Sequence, residues 1–234
     1  MTELKKLMKF RENIHHFKAD DPGKHKIQQM LQDAHDLVPV KNNLWAYHID
    51  IYGPEHKEEK ELVALQTVTG YEKKAFQSFP FDEQQRIYKE WKEARYGPEH
   101  KTNYKGFSFN HQVTAPYLLV YCQKPGYPTE KQLKTKCTSK FKTNLITYSD
   151  NEQWMIAASM HGYGMTLLAA EQGLHASFCK CYYHSYSNFT KILSPLKHGW
   201  KNVAFLLGIG YKDTDMPYYN SKNKPDLDEV VTWK

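Results

Sequence analysis

The uncharged stretch from Gln153 to Ala170 constrains the fold of this 234-residue chain more than any other feature of its sequence. Its length invites comparison with a membrane-spanning helix, but it contains His161, Gly162 and Gly164 together with hydroxyl side chains. Polar groups are costly in lipid, whereas a helix that is apolar on most sides is found inside larger globular proteins. We therefore predict a helix over residues 152–172, buried within a domain or against a second copy of the chain, and no membrane partner.

Strand patterns occur on both sides of this helix in the sequence. Apolar side chains alternate with others from Trp45 to Ile51, which is typical of a half-buried strand. A continuous apolar run at 116–122 indicates a central, buried strand, and the apolar run at 203–209 indicates another strand. A further strand is predicted over 174–181, directly after the turn at Gly173.

Helical patterns fill much of the remaining sequence. We predict one helix between Asp21 and Pro39, with Asp21 as its cap, and two more over residues 57–68 and 82–95. The last of these begins with Asp82 and Gln85, a capping-box pattern. Because no change of composition divides the chain, we predict a single α+β domain over residues 1–234. Its tail, 211–234, has no apolar core of its own, and we predict that it packs on a partner subunit.

Charge and motif content exclude several classes of function. The chain has 32 basic and 26 acidic residues, but only three of the basic residues are arginine: Arg11, Arg86 and Arg95. Because the lysines are dispersed and mixed with glutamate, they are typical of a solvated surface, and we predict no nucleic-acid partner. The sequence has no Gly-x-Ser-x-Gly motif, no phosphate-binding Gly-x-x-x-x-Gly-Lys and no Gly-x-Gly-x-x-Gly after a strand.

The four cysteines indicate neither a zinc site nor a disulfide scaffold. They contain no Cys-x-x-Cys pair, and four in a chain of this length fit a reducing, cytoplasmic location. We therefore predict no metal site. Cys179 and Cys181 are two residues apart, so their thiols lie on the same strand face, and we interpret them as small buried side chains.

Short motifs follow one another in a distinctive order. Arg11-Glu12-Asn13-Ile14-His15 comes first, and Pro39-Val40-Lys41-Asn42-Asn43-Leu44 leads from a helix into a strand. Asn110-His111-Gln112 precedes the next strand, and Lys222-Asn223-Lys224 lies in the tail. In this order and spacing, the chain resembles the FMN-dependent nitroreductase family over most of its length.

The resemblance implies a cofactor site assembled from distant parts of the sequence. Arg11 matches the first arginine of the family's Arg-x-Ser-x-Arg motif for the flavin phosphate and ribityl chain, while Asn13 and His15 replace the serine and second arginine. Lys222 and Lys224 match the C-terminal Lys-x-Arg phosphate grip, with lysine in place of arginine. The remaining FMN-binding residues that the resemblance implies line the flavin pocket or contact its ring: Pro39, Asn43, Asn110 and Gln112.

The resemblance also implies an activity and an assembly. Family members have a central, mostly antiparallel sheet flanked by helices, form interlocked homodimers and use NADH or NADPH to reduce FMN, which passes the electrons to an acceptor in a ping-pong scheme. The implied acceptors are nitroaromatics, quinones or free flavin. No catalytic side chain is expected, because the flavin itself carries the hydride.

One departure keeps other functions open. Where many family members carry a Pro-x-Glu-Gly-like stretch, this chain has Phe178-Cys179-Lys180-Cys181-Tyr182. A non-catalytic FMN-binding or storage protein and a flavin-modifying or dehalogenating member of the superfamily therefore remain alternatives to the reductase.

Overall fold

The computed structural model describes residues 2–40, 45–101, 103–124, 150–181, 203–216 and 226–232. The described strands are β1 Tyr47–Tyr52, β2 Tyr117–Gln123, β3 His175–Cys179 and β4 Val203–Gly210. The described helices are α1 Glu3–Phe10, α2 Lys24–Leu37, α3 Lys57–Leu65, α4 Lys73–Ser78, α5 Phe81–Tyr96, α6 Asp150–Glu171 and α7 Leu227–Val230, with a 3₁₀ turn at His111–Thr114.

The four strands form one antiparallel sheet in the order β1-β2-β4-β3. The two apolar runs of the sequence, β2 and β4, are its central strands and are buried along almost their whole length. Central strands are covered on both faces, which is why neither run alternates with polar residues. The predicted α+β fold with an antiparallel sheet is confirmed.

Alternate side chains of β2 point into two separate cores. Leu118, Val120 and Cys122 pack against α3, α4 and α5 on one face of the sheet. Their neighbours on the opposite face pack against α2 and α6: Tyr117, Leu119 and Tyr121. The sheet is therefore a middle layer between two layers of helices.

The long uncharged helix is present as α6, but it is not covered all round within one chain. Ala158, Met165 and Ala169 are buried against the sheet. On another face, Ile156, Met160 and Tyr163 are exposed at helical spacing. Among the described helices, none is long and apolar enough to cross a membrane.

Two helix starts differ from the prediction. Helix α2 begins at Lys24 rather than at the Asp21 cap, because the Asp21 carboxylate accepts a hydrogen bond from the Gly23 N–H at 2.8 Å in a local turn. Helix α5 begins at Phe81, with Pro80 at the N-cap position and no side-chain cap bond, so the predicted capping box does not form.

The beginning of the C-terminal segment pairs with the N-terminal segment of its own chain. Lys212 forms a bridge with Phe17 and an ion pair with Glu12. The Lys18 N–H donates to the Tyr211 carbonyl at 2.9 Å, and the Asp213 N–H donates to the His16 carbonyl at 3.1 Å. This pairing places residues 11–18 alongside the end of β4.

The buried His161 predicts an acid-sensitive fold. Its Nδ1 lies 2.9 Å from the Tyr121 hydroxyl, and burial lowers its pKa to about 4. In the unfolded chain His161 binds a proton at pH ~6.5, but in the folded chain it does so only at its lowered pKa. Protonation of the unfolded chain therefore lowers the stability of the fold as the pH falls below ~6.5, and the stability is unaffected above that pH. Between pH ~7.5 and ~5 we expect a loss of about 1–2 kcal/mol from this residue.

Urea unfolding of the wild type and His161→Gln at both pH values checks this expectation. Glutamine can still bond the Tyr121 hydroxyl but does not titrate, so the variant should lose less stability on acidification than the wild type. An identical pH dependence in the two proteins would contradict it.

Candidate functional site

Three segments that are distant in sequence meet beside the end of β3. The side-chain carbonyl of Asn13 accepts one hydrogen bond from the Ser177 hydroxyl at 2.8 Å and another from the Phe178 backbone N–H at 3.1 Å. Ser177 lies on β3 and is fully buried. The N-terminal segment is thereby fixed to the sheet edge.

Gln112 joins the third segment, the loop 110–116, to the contact between Asn13 and β3. Its side chain is 2% exposed, and its amide donates to the Ile14 carbonyl at 3.0 Å and to the Ser177 hydroxyl. Both amide hydrogens are therefore used within the chain. The geometry makes Gln112 a positioning residue that holds the Asn13 segment against β3.

Asn110 precedes the 3₁₀ turn and caps it. Its side-chain carbonyl accepts from the Gln112 backbone N–H at 2.9 Å. Its amide group reaches two sulfur atoms, Cys179 Sγ at 3.0 Å and Cys181 Sγ at 3.4 Å. The loop therefore places one amide directly against the end of β3.

A buried lysine holds the other end of the same loop. The Lys60 ammonium, on α3, donates to the carbonyls of Ala115 at 2.9 Å and Pro116 at 2.8 Å. Burial lowers the pKa of Lys60 to about 8. The 110–116 loop is thus fixed at both ends, by Asn110 and by Lys60, so its position depends little on solvent-exposed contacts.

Gly208 on β4 allows this loop to approach the sheet. A Cβ at Gly208 would lie 3.2 Å from the Gln112 carbonyl carbon and closer still to the Gln112 carbonyl oxygen. It would also lie 3.0 Å from the Ala115 Cβ. Because the closest of these atoms belongs to the Gln112 backbone, Gly208→Ala should destabilise the fold by about 1–3 kcal/mol.

Urea unfolding measures this loss. Gly53→Ala is a matched control for glycine removal, because a Cβ at Gly53 would meet only the flexible end of the Glu55 side chain. A Gly208→Ala protein at least as stable as Gly53→Ala would refute the close approach as a constraint.

Arg11 offers an unsatisfied donor next to the Asn13 contact. Its guanidinium lies 5.5 Å from the centre of the Tyr163 ring on α6. Its Nε is buried and finds no hydrogen-bond acceptor among the residues that the structure describes. A buried N–H without an acceptor is costly, so an anionic ligand oxygen would satisfy it.

The other implied cofactor residues differ in how they could act. Partial burial and the charge of Arg95 lower the pKa of His15, so at neutral pH its ring is uncharged and can bind an anion only as a neutral donor. Pro39 is exposed after α2. Asn43, Lys222 and Lys224 lie outside the described residues.

The sequence motifs did not indicate Ser177, Cys179 or Cys181 as site residues. The pattern Cys179-x-Cys181 correctly predicts two sulfurs on one side, since both reach Asn110. The interpretation of both as buried small side chains is wrong for Cys181, which is exposed. Only the spacing of the two cysteines could have indicated this arrangement.

Comparisons with known proteins identify the fold. No protein-family model matches the sequence, and no curated protein is detectably similar to it. Among solved structures, it superposes on a nitroreductase of Bacillus subtilis, ydfN, with a TM-score of 0.63 at 14% identity, covering 99% of both chains.

Two further structures agree. A nitroreductase-like family protein of Bacillus cereus gives a TM-score of 0.61 at 15% identity over 100% of this chain and 97% of its own. A nitroreductase of Desulfitobacterium hafniense, solved with bound FMN, gives 0.57 at 15% identity over 100% of both chains. The chain described here therefore has the nitroreductase fold.

Proposed function

We propose that this protein binds FMN and acts as an NAD(P)H-dependent oxidoreductase that reduces nitroaromatic, quinone or flavin acceptors. The observation that carries the proposal is the junction of Asn13 with Asn110 and Gln112, which lie about a hundred residues further along the sequence yet share with it one hydrogen-bonded network that includes Ser177. The resemblance implies the same three residues as flavin contacts, and the nitroreductase fold supports that assignment.

The residues present fit FMN. The unsatisfied Nε of Arg11 supplies a donor for the phosphate, and the exposed ring of Tyr163 lies beside it. In the proposal, Asn13 and Gln112 hold the segment that carries Arg11, and Asn110 orders the loop beside the flavin ring. Lys222, Lys224, Pro39, Asn43 and His15 complete the proposed set.

When bound, FMN supplies the hydride chemistry, accepting electrons from NADH or NADPH and passing them to the acceptor. The chain supplies position and electrostatics. Arg11 would offset the phosphate charge, and the fixed 110–116 loop would keep the contacts to the flavin ring from rearranging.

Anaerobic titration with NADPH or NADH tests the catalytic part. The proposed enzyme, loaded with FMN, loses its visible flavin absorbance on addition of either nicotinamide and regains it on addition of a quinone. A protein that retains FMN but is inert to both nicotinamides would instead be a flavin-binding protein, the function that the altered Phe178–Tyr182 region would favour.

We also propose a homodimer. The exposed side chains of Ile156, Met160 and Tyr163 form an apolar stripe on α6, which a second subunit would cover. The segment 211–234, whose first three residues pair with their own chain, is proposed to extend over that subunit beyond Asp213 as part of a single domain. Light scattering should give the mass of two chains. A monomer at all concentrations would contradict the proposal.

The same chain is proposed to work in the cytoplasm. Cys122, Cys179 and Cys181 are free thiols, which a reducing compartment maintains. Expression of the full chain with a fluorescent tag tests this location, and a signal outside the cytoplasm would contradict it.

A further inference from the structure

Two thiols share one donor at the end of β3. The Asn110 amide nitrogen lies 3.0 Å from Cys179 Sγ and 3.4 Å from Cys181 Sγ, and the two thiols also hydrogen-bond each other. Cys179 is buried and Cys181 is exposed, and both are free. The pair therefore has one sulfur open to a reagent and a second sulfur directly behind it.

The orientation of the Asn110 amide is fixed by the loop. Its oxygen accepts from the Gln112 backbone N–H at 2.9 Å, so its NH₂ group must face the sulfurs. A flipped amide would place two acceptors or two donors together. The structure thus directs hydrogen-bond donors, rather than an acceptor, at the two thiols.

The hydrogen-bond donors around the exposed sulfur stabilise a thiolate on Cys181. Hydrogen bonds from the Cys179 thiol, the Asn110 amide and the Lys180 backbone N–H lower the pKa of Cys181. The pKa of Cys179 is raised by its hydrogen bond to Cys181 and by its burial. The pair accordingly holds the negative charge on the exposed Cys181 and the proton on the buried Cys179.

We propose that Cys179 and Cys181 form a redox-active dithiol that reacts with hydroperoxides and closes to an intrachain disulfide. The Cys181 thiolate attacks one peroxide oxygen, the O–O bond breaks, and an alkoxide or hydroxide leaves, so Cys181 becomes a sulfenic acid. The Cys179 sulfur then attacks the Cys181 sulfur, a water molecule leaves with the Cys179 proton, and the S–S bond forms. The peroxide is reduced by two electrons and the two thiols are oxidised.

The backbone geometry permits a disulfide between Cys179 and Cys181. Residues two apart in a strand have Cα atoms about 6.6 Å apart, at the upper end of the range for disulfides. Because β3 ends at Cys179, the backbone at 180–181 is outside the strand pairing and can shorten this distance. Cys122, which is buried on β2 and has a raised pKa, provides an internal unreactive thiol for comparison.

Oxidation of the full-length protein by hydrogen peroxide tests the proposal. The protein is treated with one equivalent of peroxide, its remaining thiols are blocked with N-ethylmaleimide, and peptides are mapped by mass spectrometry without reduction. We expect one fragment that contains Cys179 and Cys181, lighter than the dithiol form by two hydrogen atoms and free of maleimide. Reduction before blocking restores two maleimide sites.

Three variants assign the roles. All variants also carry Cys137→Ser, which removes the fourth thiol of the chain. In Cys181→Ser, the loss of thiols to peroxide should slow by about tenfold or more. In Cys179→Ser, Cys181 should still react, but a sulfenic acid that dimedone traps should replace the disulfide. Cys122→Ser, the matched control, should react like the wild type.

The proposal does not depend on FMN binding, and its readout is independent of activity. It would be overturned if the wild type formed no disulfide between Cys179 and Cys181, or if Cys181→Ser and Cys122→Ser reacted with peroxide at equal rates. Circular dichroism of each variant confirms that it is folded, and the wild-type peptide map decides the outcome even if Cys179→Ser does not fold.

Discussion

Arg11→Ala weakens FMN binding by about tenfold to a hundredfold, because it removes a guanidinium whose buried Nε finds no acceptor among the described residues. A hydrogen bond to a charged group contributes roughly 1.5–3 kcal/mol, and each 1.4 kcal/mol is about tenfold in affinity. Arg11→Lys keeps the charge but not the planar fork of donors, so we expect an intermediate loss. Quenching of flavin fluorescence measures the dissociation constants.

Arg86→Ala is the matched control. Arg86 lies exposed on α5, where it pairs only on the surface with Glu83 and Glu90. We expect its removal to change the affinity for FMN by less than about twofold. Arg95 is unsuitable as a control because it is buried and donates to the His100 carbonyl at 2.7 Å. Equal losses from Arg11→Ala and Arg86→Ala would contradict the placement of the phosphate site.

Gln112→Leu should destabilise the protein by about 2–3 kcal/mol. The substitution fills a similar volume but leaves the buried Ile14 carbonyl without the amide that now donates to it at 3.0 Å. It also removes the donor to Ser177 and so loosens the hold of Asn13 on β3. Because the Asn13 segment carries Arg11, we expect FMN affinity to fall together with stability.

Gln29→Leu gives the comparison for this change. Gln29 is exposed on α2 and donates only to Asp33 within the same helix, at 2.8 Å. Its replacement should alter stability by less than about 0.5 kcal/mol. Urea unfolding monitored by tryptophan fluorescence measures both variants. The positioning role of Gln112 would be wrong if the two variants were equally stable.

The elements that could be predicted from sequence are those whose pattern follows directly from burial. The apolar runs of β2 and β4 and the alternation in β1 define strands because each reports which faces are covered. The helix start at Asp21 was wrong because a capping residue can satisfy a competing local bond, as Asp21 does with the Gly23 N–H. The capping box at Asp82 was also wrong, since α5 begins one residue earlier, at Phe81, without a side-chain cap bond. Short α4 has no periodic signal long enough to identify it.

The site could be predicted only as a set of segments. Motif order placed Asn13, Asn110 and Gln112 in one site, and the structure brings these three together. Ser177, the partner that Asn13 and Gln112 share, was not predictable, because the contact between Asn13 and Ser177 spans 164 positions in sequence and depends on the register of β3 on β4. Pairs of hydrogen-bonding side chains so far apart leave no local pattern.

The absorption spectrum of the purified full chain, after incubation with FMN and removal of free flavin, decides whether the protein binds FMN. We expect the visible bands of oxidised, protein-bound flavin at about one FMN per chain. We expect a clear reduction of this amount in Arg11→Ala and none in Arg86→Ala. A wild-type protein that remains colourless would contradict both the proposed reductase and the flavin-binding alternative.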